Sequence, residues 1–235
     1  MRGRESPHPD LITMVLSDRD IRAALAAGRI RIMPAIDEAV QLGPCSVDLR
    51  LGPIFKVFDY SRVPYVDTRT PMPDEMMREV VVEGEGPFVL HPGEMVLAST
   101  LESLELPDDM LARLEGRSSL ARLGIIVHGT AGVFEPGWRG KAVLELSNLS
   151  RVPVALYPTM RICSFTFEPL SSPSENPYWK RAASKYVGQA GAEASRLWAD
   201  SELAPWMQAF WGPGSAAPAW RTGAAPGADT TLGAP

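Results

Sequence analysis

The sequence predicts a mostly β protein, a sandwich or barrel of short strands with a few short helices. Three observations carry that prediction. Short apolar-rich runs recur between Val80 and Phe167 with turn signals separating them. Ser46-Val47-Asp48-Leu49-Arg50-Leu51 alternates with period two, so Val47, Leu49 and Leu51 share one face. No alternation of strands with helix-length amphipathic segments is present, which argues against a βαβ protein.

The 235 residues suit one domain of the larger kind, or a domain with a tail. Residues 1–13 are polar and proline-bearing and are expected to be a disordered start. Ser17-Asp18-Arg19-Asp20 opens a short helix, with Ser17 as N-cap and two acids in the first turn. Ile21, Ala24 and Leu25 give that helix one apolar side, and Gly28 ends it. Strands follow at 46–51 and 54–60, divided by Gly52-Pro53. The stretch 61–77 carries three prolines and no period, and reads as a surface loop. Further strands are expected at 80–82, 88–90, 94–101, 111–114, 125–128, 142–147, 152–156 and 162–167. Their separators, such as Gly84-Glu85-Gly86-Pro87, His91-Pro92-Gly93 and Tyr157-Pro158, supply the positive φ of glycine and the fixed φ of proline. The domain is placed at 14–196. Residues 197–235 form an Ala-, Pro-, Gly- and Trp-containing tail, expected to be largely disordered. Trp198, Trp206, Trp211 and Trp220 lie in it, and read either as a tail packing on the body or as a partner motif.

The net charge of −5 argues against a general nucleic-acid binder, although a local basic cluster can still hold a small polyanion. Cys45 and Cys163 cannot make a disulfide framework, and with His8, His91 and His128 they show no metal-ligand spacing. No metal site is expected, and a zinc hydrolase is disfavoured. There is no apolar run of membrane length, and residues 1–17 lack the apolar core of a signal peptide. A cytoplasmic protein without a membrane partner is expected.

The chemistry concentrates in 116–145. Gly116-Arg117-Ser118-Ser119-Leu120-Ala121-Arg122-Leu123-Gly124 offers two forked cations and two hydroxyls. If Ser118 or Ser119 caps a helix of one to two turns ended by Gly124, free N–H groups would address an anion. On composition alone the stretch also reads as a solvated basic turn. On Lys141-Ala142-Val143-Leu144-Glu145-Leu146-Ser147, Ala142, Leu144 and Leu146 share one face, and Glu145 shares the other with Val143 and Ser147. Alone, such a glutamate is usually solvated. Lining a closed pocket, it would serve as general base and acid. His128, at a strand end before the Gly129–Gly132 bend, reads as structural or as pocket wall. Tyr178, Lys185 and Gln189 read as a solvated tail or as a lid over a nucleotide.

At these residues the sequence resembles the dCTP deaminases of the dUTPase superfamily. The likeness rests on Arg117-Ser118-Ser119-Leu120-Ala121-Arg122, Thr130-Ala131-Gly132, Pro136-Gly137-Trp138 and Val143-Leu144-Glu145-Leu146. Leu16-Ser17-Asp18-Arg19-Asp20, Pro44-Cys45-Ser46-Val47-Asp48-Leu49-Arg50-Leu51 and Ser184-Lys185-Tyr186 extend it over residues 14 to 196. The resemblance implies a distorted jelly-roll β-barrel of the dUTPase-like type and a homotrimer with active sites shared between neighbours. It implies hydrolytic deamination of dCTP to dUTP and ammonia, with dTTP as a feedback ligand. No cofactor is held by the protein, and Mg²⁺ accompanies the triphosphate. Glu145, Ser118 and Arg122 would be catalytic. Arg117, Ser118, Ser119, Leu120, Ala121 and Arg122 would line the phosphates, and Thr130, Ala131, Val143 and Leu144 the base. Glu135 would face the deoxyribose, where the family usually has Asp, and Tyr178, Lys185 and Gln189 would close the lid.

A related branch also cleaves the triphosphate and forms dUMP and diphosphate. It typically has Gly-Gln where this chain has Cys163-Ser164, but shares the Thr130-Ala131-Gly132 bend; the Tyr178-to-Lys185 spacing fits the deaminase-only branch. The remaining alternatives are a plain dUTPase, which normally lacks a glutamate at the Glu145 position, and a non-catalytic nucleotide-binding regulator.

Overall fold

The computed structural model describes residues 14–61 and 65–200. Its helices are α1 (Asp18–Ala26), α2 (Glu38–Gln41) and α3 (Ser118–Ala121), with single 3-10 turns at Asp74–Met76 and Leu197–Ala199. Its strands are β1 (Arg31–Met33), β2 (Val47–Arg50), β3 (Ile54–Phe58), β4 (Met77–Val81), β5 (Phe88–Leu90) and β6 (Met95–Glu105). They continue with β7 (Met110–Gly116), β8 (Ile125–Ile126), β9 (Val133–Phe134), β10 (Arg139–Asn148), β11 (Val154–Leu156) and β12 (Arg161–Pro169).

The mostly β expectation holds. One sheet runs β4-β3-β6-β10-β8, with β1 also pairing to β6; a second runs β2-β12-β7-β9; β11 and β5 form a small third ladder. Every strand pair is antiparallel. The sheets do not close into one continuous barrel, an arrangement compatible with a jelly roll. The two larger sheets share one hydrophobic core. Val47, Leu49, Leu51, Leu114, Phe165 and Phe167 enter it from one side, and Val96, Ala98, Leu104, Leu144 and Leu146 from the other. Each buried Val, Leu or Phe among them contributes about 1.5–3 kcal/mol of transfer free energy. Phe134 fixes the lower corner by meeting both Trp138 and Phe165 edge-on, at centroid distances of 5.0 Å.

The alternating strands lie where period two places them, and β2 buries Val47 and Leu49 as expected. Strand β6 extends to Glu105, past the expected end, because residues 103–105 are paired by β1 on one edge and β10 on the other; residues 96–100 are buried on both faces, and alternation begins only after them. Ser17 occupies the N-cap position of α1, but its hydroxyl bonds the Asp20 carboxylate (3.2 Å) instead of a backbone N–H. Gly28 follows at φ +67°, the left-handed conformation that ends the helix. Strand β1, α2 and β9 were not expected, being too short for a period to emerge. In the loop expected at 61–77, the 3-10 turn buries Met76.

The described chain forms two compact units. One comprises residues 14–61, 65 and 73–194; the other comprises 66–72 and 195–200. In the second, Asp67 pairs with Arg69, and the Leu197–Ala199 turn is completed by Leu197 N–H donating to Ser195 Oγ (3.3 Å). The expected disordered start and the tail bearing Trp206, Trp211 and Trp220 lie outside the described residues. No described helix is long and apolar enough to cross a membrane.

Candidate active site

The Arg-Ser turn begins where β7 leaves its sheet at Gly116. Arg117, at φ −82° and ψ 132°, is still extended and takes the N-cap position of α3, with no side-chain cap. Ser118 is therefore the first helical residue, not the cap expected from the sequence. The cause is visible in the Arg117 side chain, whose Nε lies 3.0 Å from Asp48 Oδ2 and whose Nη1 donates to the Arg161 carbonyl (3.1 Å). Leu120 anchors the turn in the core. Gly124, at φ +82°, closes it against the chain just past β10, where a Cβ would stand 2.8 Å from Ser150 N. Ser118, Ser119, Ala121 and Arg122 remain exposed. A cleft of about 690 Å³ behind the turn is lined by Ala121, Arg122, Leu123, Pro153 and Val154, with Ser150 at its edge.

Glu145 lies on β10 as alternation predicts. Ala142, Leu144, Leu146 and Asn148 face the core, while Val143, Glu145 and Ser147 are half-buried on the opposite face. One edge of β10 is taken by β6, with Glu145 opposite Leu97. On the other edge β8 pairs only at Ser147 and Asn148. Among the described residues no strand pairs with that edge between Ala142 and Leu146. The peptide groups around Val143 and Leu144 are thus free of a ladder on one side. Just beyond β8 the chain bends back, and the Gly129 N–H donates to Glu145 Oε2 (3.1 Å). The bend is tight: a Cβ on Gly132 would lie 2.9 Å from the Leu114 carbonyl and 3.0 Å from His128 Cε1. His128 is half-buried with its Nδ1 unpartnered, which fits a wall of this bend. Thr130 and Ala131 stand exposed at its tip.

The C-terminal segment returns along the same side. Tyr178 N–H donates to the Pro136 carbonyl (2.7 Å), its ring meets Trp138 at 5.1 Å, and its hydroxyl accepts from Tyr186 N–H (3.2 Å). Burial pushes the Tyr178 hydroxyl pKa up, against a smaller lowering from that hydrogen bond. Glu135 pairs with Arg181 at 3.6 Å. Gln189 is buried on β10: its backbone carbonyl accepts from Lys141 N–H (2.8 Å), and its side-chain amide donates to the Lys141 carbonyl (3.1 Å). Lys185 is half-buried between them in sequence.

The structure thus brings Glu145 to the Gly129 bend, Glu135 to Arg181 and Gln189 to Lys141. No hydrogen bond or ion pair of the described residues joins Glu145 to Arg117, Ser118, Ser119 or Arg122. Asp48 is the residue that sequence reasoning passed over. Its position on the strand face opposite Val47 and Leu49 was legible, but its partners come from two distant strands.

The fold and this constellation define a class. A family model described as dCTP deaminase-like matches residues 15–170. The chain is 57% identical over 185 residues to a dCTP deaminase of Thermomicrobium roseum, covering 78% of this chain and 94% of that protein. It is 54% identical over 184 residues to a dUMP-forming dCTP deaminase of Dictyoglomus thermophilum, covering 78% and 95%. The crystal structure of a 2'-deoxycytidine 5'-triphosphate deaminase from Agrobacterium tumefaciens superimposes with a TM-score of 0.53 at 27% identity, over 67% of this chain and 48% of that one. The chain belongs to the dCTP deaminase-like family.

Proposed function

We propose that the protein is a cytoplasmic hydrolase that removes the exocyclic amine of dCTP, with Glu145 as the general base and acid. The observation that carries this reading is the half-buried Glu145 carboxylate, oriented by the Gly129 N–H beside the unpartnered edge of β10. In this reading Glu145, not a protein-bound metal, takes a proton from a water held by Ser118 and Arg122. The hydroxide forms a bond to C4 of cytosine, and Glu145 delivers the proton to N3. The proton of the new C4 hydroxyl then passes through Glu145 to the amine, the C4–N bond breaks, and ammonia and the uracil ring are released. The open β10 edge supports recognition of the base by peptide groups at Val143 and Leu144, with Thr130 and Ala131 at the bend. Arg117, Ser118, Ser119, Leu120, Ala121 and Arg122 hold the triphosphate, which arrives with Mg²⁺. Glu135 faces the sugar, and Tyr178, Lys185 and Gln189 cover the nucleotide.

The turn and the bend are solvent-facing in the single chain, which supports a site completed by a neighbouring copy in a homotrimer. The product is taken as dUTP. A second reading, in which dUMP and diphosphate are formed, is favoured by relatives named dUMP-forming at 54% and 51% identity. Incubation with dCTP, with ammonia assay and separation of dUTP from dUMP, tests both. Ammonia with dUTP supports the first reading, and ammonia with dUMP and diphosphate the second. Binding of dCTP without ammonia would leave a nucleotide-binding regulator.

A further inference from the structure

Asp48 lies on β2, Arg161 opens β12 and Arg117 stands just past the end of β7, three neighbouring strands of one sheet. Ladder pairing on either side of β12 brings Leu49 and Gly116 opposite the same residue, Cys163; Asp48 and Arg117 flank that level in opposite directions on the same sheet face, and the long Arg117 side chain spans the offset. A register shift between Arg161 and Cys163 opens the ladder at that point. There the Asp48 carboxylate, only 17% exposed, takes Arg117 Nε at 3.0 Å and Arg161 Nη1 at 3.2 Å on the same oxygen. Arg161 Nη1 also donates to the Val40 carbonyl (2.6 Å). The backbone behind Asp48 is fixed in turn. Gln41 Nε2 donates to the Asp48 carbonyl (2.8 Å) and to the fully buried Glu102 (3.0 Å), which also accepts from Arg50 N–H (2.8 Å).

Arg117 is therefore held from two sides, by Asp48 at Nε and by the Arg161 carbonyl at Nη1, while its Nη2 makes no hydrogen bond among the described residues. A guanidinium held in this way keeps one face of its fork for a phosphate and has lost its rotamer freedom before the ligand arrives. We propose that Asp48 is a positioning residue for nucleotide binding: it holds Arg117 in the orientation that receives a phosphate oxygen. This rests on the reading of Arg117 as a triphosphate contact given above.

Electrostatics and positioning predict opposite signs. Asp48→Asn removes a negative charge beside two arginines, so field strength alone would tighten binding of a polyanion. Loss of positioning loosens it. We expect Asp48→Asn to weaken dCTP binding about 10-fold, as for one charge-assisted hydrogen bond, to raise KM similarly, and to leave kcat within about 3-fold. In an Arg117→Gln background the same change should have no further effect.

Binding is read by calorimetry with dCTP in Glu145→Gln protein, so that absence of deamination in the parent protein, which would end the deaminase reading, leaves the Asp48 result legible. Unchanged or tighter binding, a loss confined to kcat, or an effect that simply adds to that of Arg117→Gln overturns the proposal. Absence of dCTP binding by the Glu145→Gln parent overturns the phosphate reading and this inference together. If Asp48→Asn yields no folded protein, Asp48→Glu, which keeps the charge and displaces the carboxylate by one methylene, must show the weakened binding; unchanged binding there overturns the proposal.

Discussion

Glu145 and Asn148 lie three residues apart on β10 and face opposite sides, so they make opposite predictions. Glu145→Gln keeps the shape and the Gly129 hydrogen bond but removes the proton acceptor. Its dCTP affinity should stay within a few-fold, while ammonia release falls by about 10²–10⁴. Near-normal turnover would sink the role given to Glu145. Asn148 is fully buried, and its side chain makes four hydrogen bonds. Its Nδ2 donates to the Leu90 carbonyl (2.9 Å) and the Val152 carbonyl (2.8 Å), while its Oδ1 accepts from Ser150 N–H (2.9 Å) and Ser150 Oγ (2.7 Å). It thereby joins β10 to the β5 end and to the turn before β11. Asn148→Ala should cost about 3 kcal/mol by stranding these groups, with a melting temperature lower by roughly 6–12 °C. Calorimetry that finds a shift below 2 °C, an order-of-magnitude limit from the same scaling, would show that water replaces the side chain.

At the scale of elements, the most specific device is the docking of the C-terminal segment on β10. Gly140 has φ +142°, and a Cβ there would meet the Gln189 carbonyl oxygen at 2.7 Å and its N at 2.9 Å. Gly140→Ala therefore cannot keep both the strand and the docked segment. The segment at 188–190 should lift, with hydrogen exchange at Gly188 and Gln189 faster by about 10-fold and exchange in β6 and β12 unchanged. Exchange equally fast throughout would mean that the substitution disturbs the whole sheet. Elements with a local signal were legible: β2 and β10 lie where alternation places them, β10 shows the predicted faces, and β7 and β12 lie where apolar runs between turn signals were expected. What stayed hidden depends on partners distant in sequence. Strand β1 buries only Ile32, and α2 is a four-residue turn stabilised by the Asp37 side chain accepting from Ala39 N–H. The Asp48–Arg117–Arg161 cluster comes together only when β12 lies between β2 and β7.

At the scale of the whole molecule, the fold class and the Arg-Ser, Gly-bend and Glu145 order were legible because each is local. The docking of Gln189 on Lys141 was not, since it is made by tertiary contact. If the site is completed by neighbouring copies, light scattering should give about three times the 25.5 kDa chain mass; full activity in a 25.5 kDa species would end that reading. The shared core supplies a further test through Cys163. This thiol is fully buried among both sheets' side chains, and burial, assisted by the Glu102 and Asp48 carboxylates, pushes its pKa far above the ordinary 9.0. In the unfolded chain it ionises near 9, so above that pH the unfolded state binds fewer protons than the folded state. Stability then falls as pH rises, by about 1.4 kcal/mol per pH unit for one such group, and is untouched by it below pH 9. Tyr178, raised from 10.0 chiefly by burial but partly open to solvent, adds only a smaller, screened fall above pH 10. Urea unfolding at about pH 8, 9 and 10 should therefore show a flat first interval and a declining second one. Cys163→Ala, which lacks the thiol, should flatten the decline between about pH 9 and 10. An equal decline in both proteins would assign it to other groups.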